Sequence, residues 1–314
     1  MKKIPIIVVA GPTASGKTAV AIELAKIYGG EVVSADSMQI YKGMDIATAK
    51  PTADEMQGIP HHLISAIDSA ESFSVARYLD MARECISDIH SRGKLPIIAG
   101  GTGLYISSLV DNVEFDDTGA DSSVRERLSA EAVEYGNQYL LDKLTEVDPD
   151  TAKTLHPNNL TRIIRALEVF ELTGQKLSDM KIKSRENESP YDACMIGLNF
   201  NDRQDLYDRI NLRVDIMLKN GMLEEAENTY NSANKLKTAH QAIGYKELIP
   251  YFEGEATLDE CIEKIKLESR RYAKRQLTWF RRDERINWIM LDKNPDVENI
   301  ITNCKKIIAK QLEM

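Results

Sequence analysis

Cysteine is scarce. The four residues Cys85, Cys194, Cys261 and Cys304 are scattered, with no CxxC pair, which excludes a disulfide-stapled scaffold or a zinc ribbon and points to buried, reduced thiols in the cytoplasm. Long apolar runs are missing too. The opening MKKIPIIVVA looks like the start of a leader, but Gly11, Pro12 and Gly16 interrupt it, and no stretch approaches the ~18 apolar residues of a membrane span. Neither export nor membrane insertion is expected. Internal repeats and low-complexity tracts are also lacking. An overall positive charge is absent: 40 basic against 49 acidic residues give −9, which argues against a chain that coats a polyanion with its whole surface. What is present is ordinary globular usage, 43% hydrophobic and 28% charged over 314 residues, more than one typical domain needs.

Periodicity divides the chain into three zones. Up to about Asp117, short β-rich runs (4–10, 31–34, 95–99) alternate with helical stretches (18–28, 74–91), the pattern of a parallel sheet. A polar, Gly-containing break follows. The next zone, to about Ser189, reads as helix after helix, with Asp148-Pro149 and His156-Pro157 at junctions. Then come a strand candidate at 193–198, a long charged helical stretch from Arg203 to Glu284, a strand at 286–291 and a last helix. The expected architecture is α/β: a parallel-sheet core with helices on both faces (1–117 and 190–314), interrupted by an all-helical insertion (118–189).

Residues 11–18, Gly11-Pro12-Thr13-Ala14-Ser15-Gly16-Lys17-Thr18, fit GxxxxGK[ST] between a strand and a helix, the context that a phosphate-binding loop (P-loop) requires. Its backbone N–H groups form an anion cradle, Lys17 brings a charge to bridging oxygens, and Thr18 offers a hydroxyl to Mg²⁺. Many enzyme classes use such a loop, so the companion acid decides between them. An NTPase needs a carboxylate at the end of another apolar strand, yet 95–99 runs into Gly100-Gly101-Thr102-Gly103. The acid in a comparable position is Asp36, after EVVSA, either at the substrate crevice or as a cap. Thr102, from GGTGLY, is expected near it. His61-His62 could suggest a metal pair, but adjacent side chains diverge, which favours capping or packing.

The charge deficit has one local reversal. Lys264 to Arg285 carries nine basic and three acidic residues, +6. As a single helix over 268–285 it would gather Arg270, Arg271, Lys274, Arg275, Arg281, Arg282 and Arg285 in an arc of about 140°. Tyr272, Ala273, Leu277, Trp279 and Phe280 would lie outside that arc. An all-basic face suits nucleic-acid backbone.

Taken together, GPTASGKT, SADSMQIYKGMDIATAKP (34–51), GGTGLY, HPNN and RIIRALEV (within 156–169), QAIGYKE (241–247) and KRQLTWFRRD (274–283) resemble tRNA dimethylallyltransferases nearly from end to end. The resemblance implies Mg²⁺-dependent transfer of the dimethylallyl group from dimethylallyl diphosphate to N6 of adenine 37, beside the tRNA anticodon. No ATP and no further NTPase carboxylate are needed. Asp36 is the natural proton acceptor for the weakly nucleophilic amine. The family adds Thr102 at the reacting amine and Arg213 on the diphosphate side, with Arg209 four residues away as its alternative. Asp36-Ser37-Met38-Gln39 and Thr102 are expected to read the flipped base and its neighbours. Thr161, Arg162, Ile163, Ile164 and Arg165, with Lys274, Arg275, Arg281 and Arg282, are expected to hold RNA, and the insertion to grip the anticodon arm. Thr161 departs from the family, which commonly carries Gln there. No membrane and no obligate protein partner are expected. A transferase acting on free adenylate would share Lys17, Asp36 and Thr102, but needs neither the insertion nor the basic segment. A small-molecule kinase would use ATP, and a non-catalytic RNA-binding module would not need an intact loop.

Overall fold

The computed structural model describes residues 3–115, 122–184, 186–231 and 242–313. The expected domain edge at 117/118, and Gln241 of the QAIGYKE segment, lie outside them. The chain forms two compact units, Met1–Val110 with Ser189–Met314, and Asp111–Glu188.

The first unit is built on six parallel strands: β1 Ile4–Ala10, β2 Gly30–Ser34, β3 His61–His62, β4 Leu95–Gly100, β5 Tyr191–Phe200 and β6 Asn287–Leu291, in the order β3-β2-β4-β1-β5-β6. Both faces are covered, as an all-parallel sheet requires. Alternation along β1 shows it: Ile6, Val8 and Ala10 enter one core cluster, Ile7 and Val9 the other. The helices α1 (Lys17–Tyr28), α2 (Ala53–Met56), α3 (Val75–Ser91) and α4 (Gly103–Val110) lie between the early strands in the chain or just after them. Helix α1 packs Val20, Ala21 and Leu24 on the Ile7 side, while α3 and α4 pack Leu79, Ile86, Ile106 and Leu109 on the Ile6 side. Strand β5 is longer than its apolar run because it pairs with β1 along the whole length, from Ile4↔Tyr191 to Ala10↔Gly197. Strand β3 is two residues long, too short for any pattern to announce it. There His61 Nδ1 meets the Ile59 carbonyl at 2.8 Å, and His62 Nε2 meets Glu31 Oε2 at 2.8 Å. Glu31 also pairs with Arg92 and is held down to about 2, chiefly by that hydrogen bond. Each ring thus has one nitrogen engaged within the fold. All four cysteines are free, and burial pushes the Cys194 and Cys304 thiols up to about 12.

The second unit contains α5 (Ser122–Tyr135), α6 (Asn137–Val147), α7 (Pro149–Ala152), α8 (Leu160–Thr173) and α9 (Leu177–Lys183) around Leu128, Leu140, Leu144, Ile163 and Leu167. Asp148 starts α7 by accepting from Thr151 N (3.0 Å) and also ties down Ser178 N (3.0 Å). Burial alone would raise its carboxyl, but these bonds prevail and hold it to about 2. Ile163 and Ile164 must be reassigned from RNA contact to core: they are 0% and 8% exposed, on the face of α8 that carries the unit's hydrophobic packing. Thr161 and Arg162 are exposed on the same helix, and Arg165 is tied to the buried Glu168 carboxylate at 2.7 Å.

The remainder of the first unit comprises α10 (Arg203–Lys219), α11 (Met222–Asn231), α12 (Ile249–Phe252), α13 (Leu258–Phe280) and α14 (Val297–Leu312). Helix α13 ends at Phe280, with Arg281 as its cap, so the expected helix through Arg285 is shortened. Arg282 and Arg285 follow it in the turn that leads to β6. No helix among the described residues is long and apolar enough to cross a membrane.

Candidate active site

The carboxyl ends of β1, β2 and β4 deliver Gly11, Ala35-Asp36 and Gly101-Thr102 to one edge of the sheet, where ligands of open α/β folds bind. After β1 the chain turns through Ala14 (φ 62°) and Gly16 (φ 87°) into α1. A left-handed alanine is uncommon, and here it belongs to the loop that frees backbone N–H groups for an anion. Lys17 Nζ curls back to the Pro12 carbonyl at 2.6 Å. Two arginines of α10, one turn apart, close over the loop: Arg209 Nε donates to the Ala14 carbonyl (3.1 Å) and Arg213 Nη1 to Thr13 Oγ1 (3.1 Å). Arg209 thus braces the loop from behind, whereas Arg213 lines the cavity with Lys17, Thr13 and Thr18.

Crowding these cations has a measurable consequence. Burial, and then the charge of Arg213, lower Lys17 to about 7, against a smaller opposing pull from Asp36. Burial lowers Arg213 too. The site is short of negative charge, which an anion in the cradle would supply.

On the other side of the cleft Asp36 sits in a tight turn. Its Oδ1 accepts from Met38 N (2.9 Å) and Gln39 N (3.3 Å), and no helix follows, so it caps a turn and not a helix. Oδ2 accepts nothing among the described residues. Thr102 packs against the same turn: its N–H donates to the Ala35 carbonyl (3.1 Å), and its Oγ1 accepts from Ser37 N (3.0 Å). Gln39 is engaged within the fold. Its amide is already committed, donating to the Thr48 (3.2 Å) and Ala49 (3.1 Å) carbonyls and accepting from Ser34 Oγ (3.3 Å). Its side chain therefore holds a loop, and the residue also lines the cavity. Ser37 and Met38 line the cavity, Met38 partly packed on the core.

One central residue escapes motif reading. Gln276 of α13, 5% exposed, accepts from Thr13 N (2.8 Å) and donates to the Gly101 carbonyl (3.0 Å), stitching the phosphate loop to the β4 loop. A Cβ on Gly101 would lie 2.1 Å from the Gln276 amide, so any side chain there would push that amide out of its two hydrogen bonds. The signal was present: Gln276 is a polar side chain among Tyr272, Ala273 and Phe280 on the apolar side of the helix. Tyr272 also lines the cavity, and burial raises its phenol.

The basic segment separates into kinds. Arg270 donates to Asn211 Oδ1 (2.6 Å), Arg271 pairs with Glu268 (2.7 Å) and Arg285 with Asp283 (2.7 Å). Lys274, Arg275, Arg281 and Arg282 are exposed; Arg275 also lies over the Tyr272 ring and lines the cavity. Trp279, which lies outside the basic arc, is 36% exposed and lies against Gly103, where a Cβ would come within 2.2 Å of its ring.

The cavity measures about 280 Å³. It is lined by Lys17 and Arg213, by Asp36, and by an apolar wall of Val214, Met217, Met222, Ile265 and Ala47. A P-loop α/β core whose cavity is lined by Lys17, Arg213, Asp36 and apolar side chains has the makings of a transferase that moves a small apolar group carried on a diphosphate. The family model described as IPP transferase matches residues 39–283. A tRNA dimethylallyltransferase of Thermoanaerobacter sp. (strain X514) is 51% identical over 98% of this chain and 99% of its own, and one of Bacillus mycoides is 50% identical over 90% and 89%. The crystal structure of the full-length tRNA isopentenylpyrophosphate transferase from Bacillus halodurans matches at 46% identity and TM-score 0.74, over 100% of this chain and 97% of that one. A eukaryotic dimethylallyltransferase acting on tRNA matches at 32% identity and TM-score 0.80, over 98% and 78%. The chain belongs to the IPP transferase family, as a tRNA dimethylallyltransferase.

Proposed function

We propose that the cavity seats dimethylallyl diphosphate with its diphosphate in the loop of residues 11–18 and its prenyl group along the apolar wall, and that adenine 37 of a tRNA enters opposite, its N6 facing Asp36. The observation that carries this is the union, in one small cavity, of a cation cluster, an apolar wall and a carboxylate with an open oxygen.

As N6 bonds to C1 of the prenyl group, the C1–O bond breaks and diphosphate leaves. Lys17, Arg213 and the loop amides stabilise the charge that grows on it. The amine proton passes to Asp36 Oδ2, while Oδ1 stays fixed by the two backbone N–H groups. Thr102 keeps Ser37, and with it the Asp36 turn, in register. Mg²⁺ suits this site: it is a hard, oxygen-seeking ion that keeps several waters and binds substrate phosphates, and Thr18 at the start of α1 lines the cavity. When bound it would be held by the Thr18 hydroxyl and would neutralise part of the diphosphate charge.

A nucleobase in an anticodon loop is cheaper to extrude than one in a duplex. Exposed Lys274, Arg275, Arg281 and Arg282 on the first unit, and Thr161 and Arg162 on the helical unit, are assigned to RNA backbone, with Arg165 contributing while shared with Glu168. The test is incubation with unmodified tRNA, dimethylallyl diphosphate and Mg²⁺, then mass analysis of the digested nucleosides. One dimethylallyl unit on adenosine is expected. Prenylation of free adenylate without tRNA would overturn the acceptor assignment.

A further inference from the structure

Helix α11 gives Met222 to the cavity wall and, one turn further on, carries a half-buried carboxylate used entirely on backbone and one phenol. Glu225 Oε2 accepts from Asp45 N (2.8 Å) and Ile46 N (2.9 Å), and Oε1 accepts from Ala47 N (3.0 Å) and Tyr245 Oη (2.6 Å). Three consecutive amides of one loop are thus gathered on one side chain about 180 residues away. The loop they belong to forms part of the site. Ala47 and Thr48 line the cavity, and the Thr48 and Ala49 carbonyls receive the Gln39 amide, whose own backbone N–H is one of the two held by Asp36. A continuous path of hydrogen bonds and short chain segments runs from Glu225 through residues 45–49 and Gln39 to Asp36.

We infer that Glu225 is a positioning residue for the transfer reaction: it clasps the 45–47 backbone, sets one wall of the donor cavity, and through Gln39 fixes the orientation of the Asp36 carboxylate. This rests on Asp36 being the proton acceptor. A carboxylate is required for the clasp. Either orientation of a glutamine amide would turn an NH₂ toward at least one backbone N–H, leaving that donor unpaired. Displacement of a reacting group by about 1 Å can cost on the order of 100-fold in rate.

The test is Glu225→Gln in the full chain, measured by single-turnover transfer at saturating tRNA and dimethylallyl diphosphate, by titration with inorganic diphosphate, and by amide hydrogen exchange. The expected result is roughly ten- to hundredfold slower transfer, diphosphate affinity within about twofold of the parent, and faster exchange at Asp45, Ile46 and Ala47 but not in the phosphate loop. Gln39→Leu cuts the same path from its other end and is expected to give the same signature, which keeps the test open if Glu225→Gln does not fold. The double variant is expected to be no slower than the slower single variant, because both act through one route. Multiplying effects, unchanged single-turnover rates, or an equal loss of diphosphate binding would overturn the inference. Asp36→Asn in the same assay separates the two readings. If it is slow and Glu225→Gln is not, the clasp falls and the proton acceptor stands; if the reverse holds, the proton acceptor falls and takes this route with it.

Discussion

Two groups of positive charge lie in the first unit, and they work under opposite conditions. At the phosphate loop, Lys17, Arg209 and Arg213 are packed among carbonyls and one another, and desolvation brings Lys17 to about 7. Along and beyond α13, Lys274, Arg275, Arg281 and Arg282 stand in solvent, where charge is screened over about 8 Å at physiological ionic strength. In the function proposed above, a diphosphate would relieve the electrostatic stress of the first arrangement, and the transition state would relieve it further. The second stores no such stress and would attract and position a polyanion without distinguishing its sequence. On that reading the same residue types serve chemistry in one place and docking in the other, and burial decides which.

The largest expected effect breaks the balance at the buried group. Asp36 is the anion that Lys17 and Arg213 both feel, and Asp36→Asn removes the proton acceptor as well. Single-turnover transfer is expected to fall by on the order of 10²–10⁴ with tRNA affinity maintained. Near-normal single-turnover chemistry would remove Asp36 from the acceptor role. Lys17→Ala comes next. Loss of one oriented cation at the leaving group is expected to cost on the order of 10²–10³ in rate, with tRNA binding by filter or fluorescence assay nearly intact. If tRNA affinity dropped in parallel, the separation of the two cation groups would fail.

A milder probe sharpens the comparison through pH. Lys17 is lowered in the donor-free site, and a bound diphosphate favours its protonated form, so the group's affinity for a proton rises on binding. Donor binding is then expected to take up protons above about pH 7, and donor affinity to weaken as pH rises through that window, by up to about tenfold per unit. Calorimetry in buffers of different ionisation enthalpy reads this uptake directly; its absence above pH 7 would show Lys17 to be already charged. The smallest effect belongs to the exposed group: Lys274→Ala with Arg281→Ala, neither of which lines the cavity, is expected to weaken tRNA binding and to flatten its salt dependence by up to roughly 0.7–0.9 in slope for each phosphate no longer neutralised, with turnover at saturating tRNA little changed. An unchanged slope with a lowered melting temperature would assign the two charges to the protein's own packing.

Relations between near neighbours in the chain were enough for the local parts. GxxxxGK[ST] needs only consecutive residues to form its cradle, and the strands β1, β2 and β4 and the helices α1 and α3 announced themselves because their periodicity is a property of neighbours along the chain. Asp36 and Thr102 were legible for the same reason, each just beyond a strand end. Folding settled whatever depends on partners far along the chain. Gln39 looked free to read a base until its amide was found bonded to the Thr48 and Ala49 carbonyls. Ile163 and Ile164 shared a motif with Arg162 but lie on the core face of α8. The basic run was one helix by periodicity, yet α13 ends at Phe280, and three of the run's arginines are spent on Asn211, Glu268 and Asp283. Glu225 carries no mark in the sequence, and Gln276 only its polar place on an apolar helix side, because a hydrogen bond across 175 or 180 residues leaves no spacing to recognise. Motifs record the chemistry that a segment can perform, while a side chain's availability depends on which distant backbone groups fold against it, and that is fixed only when the core closes.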